Sequence, residues 1–273
     1  MKTRILAALV MAPAAIGALW FLPTPWLAAL FALVCLLGLW EWFRLSGLEG
    51  WRSNGAVVLN LLLMLLLVWS AAGQPILLYL ALLVGVCFWV VALLWLRFSQ
   101  FGSNNSSRLA YYCKRLAATL AVIPAWAALI LLHASEPHGT LWLLTALSLV
   151  WAADSGAYFA GKYLGKHKLA PSISPNKTLE GVAGGVIAGV GIALCLGWII
   201  GVRGPHLGAL ALVALISVLA SILGDLFESL LKRQAGYKDS GSLIPGHGGV
   251  LDRIDGVLPA LPIFALGKDI FGF

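Results

Sequence analysis

Residues 75–96 read PILLYLALLVGVCFWVVALLWL, an apolar run without one charged side chain. As a helix rising 1.5 Å per residue it extends about 33 Å, enough to cross the roughly 30 Å hydrocarbon core of a bilayer. Outward from it, the same pattern recurs at about 4–22, 25–43, 55–72, 116–134, 139–160, 178–200, 206–231 and 256–272. Of the 273 residues 61% are hydrophobic and 11% charged, where a soluble domain carries roughly 25% charged residues. Such a chain cannot clothe a water-facing surface. The expected fold is all-α, a polytopic transmembrane bundle of about nine spans.

The connections alternate in character. Pro23–Pro25, Gly73–Pro75 and Ser135–His138 are short and lack Lys and Arg, whereas the stretches 44–54, 97–115, 161–177 and 232–255 are longer and basic. With the N-terminus cytoplasmic, 16 of the 18 Lys and Arg residues fall inside, and only Arg203 and Lys268 outside. Cytoplasmic loops carry that excess, so N-in and C-out is expected, in the cell's inner (plasma) membrane. The net charge of +7 follows from this placement and does not indicate nucleic acid. Lys2 and Arg4 ahead of Met11–Ala18 resemble a signal peptide, but the run continues through Leu22 and a second span follows at once. Cys35, Cys87, Cys113 and Cys195 have neither zinc nor disulfide spacing and read as packing residues.

The polar stretch 102–107 separates a plain half, residues 1–115, from a polar-rich half, residues 116–273, where the chemistry is expected. In the first half only Glu41 is out of character. It lies near a cytoplasmic helix end, where snorkelling accounts for it.

Charges inside spans are costly and point to function. Here they are Asp154, Glu180, Asp225 and Glu228. Asp154 precedes Lys162 by eight residues and Asp225 precedes Lys232 by seven, depths of about 12 and 10 Å from the cytoplasmic helix ends. Acids gathered at one face suit a cavity open to the cytosol better than a proton path across the bilayer. On the eighth run Ser221, Asp225, Glu228 and Lys232 share one helix face, with Glu228 and Lys232 spaced to pair. Asp225 has no base at helical spacing, so it requires a metal ion or a partner from another helix.

Residues 232–255 are the densest polar segment: Lys232, Arg233, Lys238, Asp239, then His247-Gly248-Gly249 and Asp252-Arg253-Ile254-Asp255. Glycines admit anions to backbone N–H groups, Lys and Arg bind phosphate, and Asp252 and Asp255 are hard ligands suited to Mg²⁺. The ingredients are those of a metal–phosphate site. Between runs six and seven, Asp154 and Tyr158 share a helix face. Ser174, Asn176, Lys177 and Thr178 precede a helix N-terminus able to hold an anion, with Glu180 in its first turn.

At these two patches the sequence resembles the bacterial-type phosphatidate cytidylyltransferase (CDP-diacylglycerol synthase) family. The residues that carry the likeness are Ser229, Lys232, Arg233, Lys238, Asp239, His247, Gly248, Gly249, Asp252, Arg253 and Asp255, with the segment Ser174–Gly181. The close likeness runs from Trp151 to Asp255. It implies the reaction of CTP with phosphatidate to CDP-diacylglycerol and pyrophosphate in phospholipid biosynthesis. It also implies Mg²⁺ held by Asp225 and Asp252, a possible second cation, and a possible homodimer. On this reading Lys232 and Arg233 act with those acids. Lys238, Asp239, His247, Gly248, Gly249, Arg253 and Asp255 bind substrate with Ser174, Asn176, Lys177 and Thr178, supported by Asp154, Tyr158, Glu180, Ser221 and Glu228. Two other readings stand beside it: a CTP-dependent polyprenol or lipid-alcohol kinase, which would use the same metal and nucleotide parts, and, of a different class, a secondary transporter whose cytoplasm-facing acids couple ions to solute movement.

Overall fold

The computed structural model describes residues 13–71, 74–98, 108–244 and 248–273. Lys2, Arg4, the stretch 102–107 and His247, with the expectations attached to them, lie outside the described residues. Seven of the described helices are long and apolar enough to cross a membrane. They are α1 (Thr24–Leu45), α2 (Gly50–Ala71), α3 (Ile76–Phe98), α4 (Arg108–Ala134), α5 (Gly139–Leu164), α6 (Leu179–Ile200) and α7 (Pro205–Gln234). They match the second to eighth apolar runs, and residues 13–21, within the first, are also helical. The ninth run is broken into a single turn, α8 (Leu251–Ile254), and α9 (Val257–Phe271). At about 22 Å α9 is shorter than the hydrocarbon core, and most of its side chains pack inside the bundle. The protein is a polytopic helical membrane protein.

α4 is the central post. Its alanines, Ala117, Ala118, Ala121, Ala125, Ala127 and Ala128, are buried and let α1, α3, α5 and α9 close around it. It begins eight residues earlier than its apolar run because Lys114 and Arg115 form part of the helix. Their cations lie over the Tyr111 and Tyr112 rings, and the Lys114 carbonyl accepts from Trp42 Nε1 at 3.0 Å. α7 likewise runs on to Gln234, placing Lys232 and Arg233 in a helix where a loop was expected.

Two close approaches set the functional end. α5 and α6 meet through glycines: a Cβ at Gly184 would stand 2.3 Å from Ala160 Cβ, and one at Gly156 2.5 Å from the Gly184 carbonyl. Without a hydrophobic drive between helices in lipid, such backbone proximity is what holds a pair together. Gly224 of α7 does the same for the break before α9, since a Cβ there would lie 2.3 Å from the Asp255 carbonyl. On α7, Phe227 is enclosed by Trp42 of α1 and by Phe88, Trp89 and Trp95 of α3, with centroids 5.6–6.1 Å away. That cluster fixes the rotation of α7, and so the direction of its acidic neighbours.

The connection between α5 and α6, expected to be loop, is an antiparallel hairpin of β1 (Lys168–Ala170) and β2 (Ser174–Thr178), with Lys168 opposite Thr178. Ile173 anchors its turn in the protein. Thr178 ends the second strand and caps α6, accepting from the Gly181 N–H at 3.1 Å.

Candidate active site

The acidic stripe of α7 faces the hairpin on one side and the 232–255 segment on the other. Lys177 Nζ, delivered by β2, lies 2.5 Å from Asp225 Oδ2, and Ser229 Oγ donates to Asp225 Oδ1 at 3.3 Å. This is the partner that helical spacing within α7 could not provide. Asp154 of α5 is influenced by the charges of Asp225 of α7, Lys177 of β2 and Arg253 of α8, so four elements converge here.

One turn further along α7, Glu228 is buried. Its Oε2 lies 2.5 Å from Lys232 Nζ, while its Oε1 is buried with no hydrogen-bond partner. Lys232 also reaches Asp252 Oδ1 at 2.6 Å. The other Asp252 oxygen accepts from the Ser240 N–H at 3.1 Å and the Gly249 N–H at 2.8 Å, and lies 3.0 Å from Ser240 Oγ, whose one proton it shares with Glu41. Burial alone would raise the Asp252 pKa. The Lys232 ammonium and the Gly249 N–H outweigh it and hold the carboxyl below its usual range.

Among the described residues one group of acids is compact enough to grip a cation. Asp225, Glu228 and Asp255 bring one oxygen each to within 4.8 Å of one another. The unpartnered Glu228 Oε1 is the type of atom a metal ion would satisfy. The donor set fits a hard divalent cation. Asp255, expected to bind substrate, stands inside this group, while Asp252, expected to share the metal with Asp225, is held by Lys232, Ser240 and Gly249.

The remaining residues fall into three places. Arg233, Lys238, Asp239 and Arg253 are exposed around the site, as are Asn176 and the hairpin's outer face, while Ser174 is half-buried. Gly248 and Gly249 serve close packing. Gly248 has φ of 83°, and the space for a Cβ at Gly249 is taken by Ser240 Oγ, 2.1 Å away. The Gly249 N–H serves Asp252, where a substrate anion was expected. Three residues sit apart from the acids. Glu180 accepts from the Lys166 and His167 N–H groups and contacts His167 Nδ1 at 2.6 Å, which ties the base of the hairpin. Ser221 is buried against Gly256. The Tyr158 ring lies beside Phe159 and under Lys162.

The sequence reading missed Ser240 and misread Glu41. Glu41 does not snorkel: it is fully buried, and its Oε2 accepts from Ser240 Oγ at 3.0 Å and from Leu251 N–H at 2.8 Å. A carboxylate inside an otherwise apolar run was the available signal.

Comparison with known proteins extends the likeness beyond these patches. The model of the cytidylyltransferase family matches residues 2–271. A phosphatidate cytidylyltransferase of Pseudomonas aeruginosa is 40% identical over 270 residues, 97% of this chain and 96% of its own. One of Haemophilus influenzae is 38% identical over 288 residues, 97% of each chain. One of Bacillus subtilis is 45% identical over 127 residues, 46% of this chain and 47% of its own. The match thus takes in α1, with its buried Glu41, as well as the acids of α7 and the hairpin that faces them, and the chain belongs to the cytidylyltransferase family.

Proposed function

We propose that this protein is a Mg²⁺-dependent phosphatidate cytidylyltransferase of the inner membrane, with its active site at the cytoplasmic face. The observation that carries the reading is the acidic group Asp225, Glu228 and Asp255 set beside Lys177 and Lys232, in a chain whose full-length relatives bear that name. CTP is cytosolic and phosphatidate stays in the leaflet. A site about 10 Å inside one membrane face is reachable from both.

The phosphatidate phosphate is already an anion and needs no protein nucleophile. One of its oxygens attacks the α-phosphorus of CTP. The new P–O bond forms as the bond to the β-phosphate oxygen breaks, and the electron pair leaves with pyrophosphate. The protein holds the reactants in line and offsets their charge. Asp225, Glu228 and Asp255 would hold the divalent cation, which when bound would supply positive charge against the triphosphate. Lys177 stands where the hairpin meets α7 and receives one phosphate. Arg233, Lys238 and Arg253, exposed around the site, bind the others, and Ser174, Asn176 and Thr178 line the hairpin side. Lys232, fixed between Glu228 and Asp252, keeps those two acids from repelling one another.

The test is pyrophosphate release by detergent-purified protein given CTP and phosphatidate, with Mg²⁺ and then with EDTA. Release that requires both substrates and the metal is expected. CDP formation with a lipid alcohol in place of phosphatidate identifies a kinase. No turnover with any acceptor, from folded protein, removes the enzymatic reading in favour of transport.

A further inference from the structure

We propose that Glu41 of α1 is a positioning residue that locks Ser240, Gly241 and the 249–251 turn, and through them Asp252, into working geometry. Glu41 lies far from that segment in sequence, 199 positions from Ser240 and 210 from Leu251, yet one of its oxygens accepts from both. The segment is shaped around this carboxylate. A Cβ at Gly241 would stand 2.3 Å from Glu41 Oε1, and one at Gly249 2.4 Å from Oε2 and 2.6 Å from Oε1. Two glycines of a polar loop are therefore required by an acid from the opposite half of the chain, with no ligand involved.

The contact leads onward. Ser240 Oγ lies 3.0 Å from Glu41 Oε2 and also 3.0 Å from Asp252 Oδ2, and Asp252 Oδ1 joins Lys232, which joins Glu228. A continuous polar chain runs from α1 to the acidic group. Glu41 is fully buried behind it and reaches no open surface, so it acts through Asp252 rather than on a substrate. The next residue of α1, Trp42, packs its ring on Phe227, one residue before Glu228 on α7. One turn of α1 thus braces both halves of the site. The inference deepens the proposed function and rests on it for its kinetic readout only.

The experiment compares wild type with Glu41→Ala, Glu41→Gln and Ser240→Ala in detergent. Two readouts are taken: hydrogen exchange of the peptide covering residues 239–252, and steady-state kinetics. Loss of hydrogen bonds from a charged acceptor should raise exchange there about tenfold in Glu41→Ala. kcat should fall about 100-fold through misplacement of Asp252, while KM for phosphatidate stays within about threefold. Glu41→Gln keeps an acceptor of the same shape and should restore both readouts to within a few-fold of wild type. Unchanged exchange and kcat in Glu41→Ala would overturn the proposal. So would a fall in kcat with exchange unchanged, because Glu41 would then act directly. If Glu41→Ala does not fold, Ser240→Ala, which cuts the same link from the loop side, decides by the same criteria. If wild-type protein makes no CDP-diacylglycerol, the proposed function fails, and exchange still decides whether Glu41 holds the segment.

Discussion

Asp252 uses both of its oxygens inside the protein, one for Lys232 and the other for Ser240 and Gly249. Asp255, three residues on, turns towards Asp225 and Glu228, and its Oδ1 accepts from the Gly256 N–H at 2.8 Å. On the proposed function the two aspartates of one motif have different work: Asp255 would grip the cation, and Asp252 would hold Ser240, Gly249 and Lys232. A binder of the folded state raises the melting temperature, so Mg²⁺ should stabilise the wild type in a thermal melt. Asp225→Asn and Asp255→Asn should abolish that shift. Asp252→Asn should keep it and still lose turnover by at least about 100-fold. Loss of the shift in Asp252→Asn as well would restore Asp225 and Asp252 as the ligand pair. The sequence exposed Asp225 and Glu228 because they interrupt an apolar run, and Asp252 and Asp255 because they stand in its densest polar segment. It could not assign their partners, because Lys177 meets Asp225 and Glu41 meets Ser240 only once helices distant in sequence have packed. A buried acid and a snorkelling one are spelled the same way; the difference lies in what stands opposite.

Helices were legible for a simple reason. In lipid every backbone group must be satisfied within its own segment, so a long apolar run has one available structure. The hairpin was not legible, because its strands are three and five residues long and take their order from tertiary ties. Glu180 closes its base, Ile173 anchors its turn and Lys177 reaches across to α7. The position of that lysine depends on how closely α5 and α6 approach. Gly184→Leu should separate them, since overpacking of this type costs about 1–3 kcal/mol. The expected result is a lowered melting temperature and at least a tenfold loss of turnover. Gly191→Leu is the control on the same helix. Nothing lies within 4 Å of a Cβ at that position, so both quantities should stay at wild-type values. Equal effects from the two substitutions would show that α6 matters through its propensity, with its glycine contact to α5 irrelevant.

At the scale of the whole molecule, division at residue 115 separates composition without separating work. The C-terminal half carries the acids, and the N-terminal half supplies Glu41 and four aromatic helix residues around Phe227 that orient them. What remains is which side of the membrane this end faces. The last turns of α1, α3, α5 and α7 carry Arg44, Arg97, Lys162, and Lys232 with Arg233, while those of α2 and α6 carry no basic residue. Alternating spans place these basic ends on one face, and the excess of Lys and Arg predicts that face to be the cytoplasmic one. α7 tests this on a single helix. Its 30 residues extend about 45 Å, so His206 and Gln234 at its ends emerge on opposite sides of a core roughly 30 Å thick. In a variant whose four cysteines are replaced, His206→Cys should react with a membrane-impermeant maleimide in intact spheroplasts. Gln234→Cys should react only after the membrane is opened. The reverse pattern would put the acidic group outside, where CTP is absent, and the proposed reaction would lose its nucleotide.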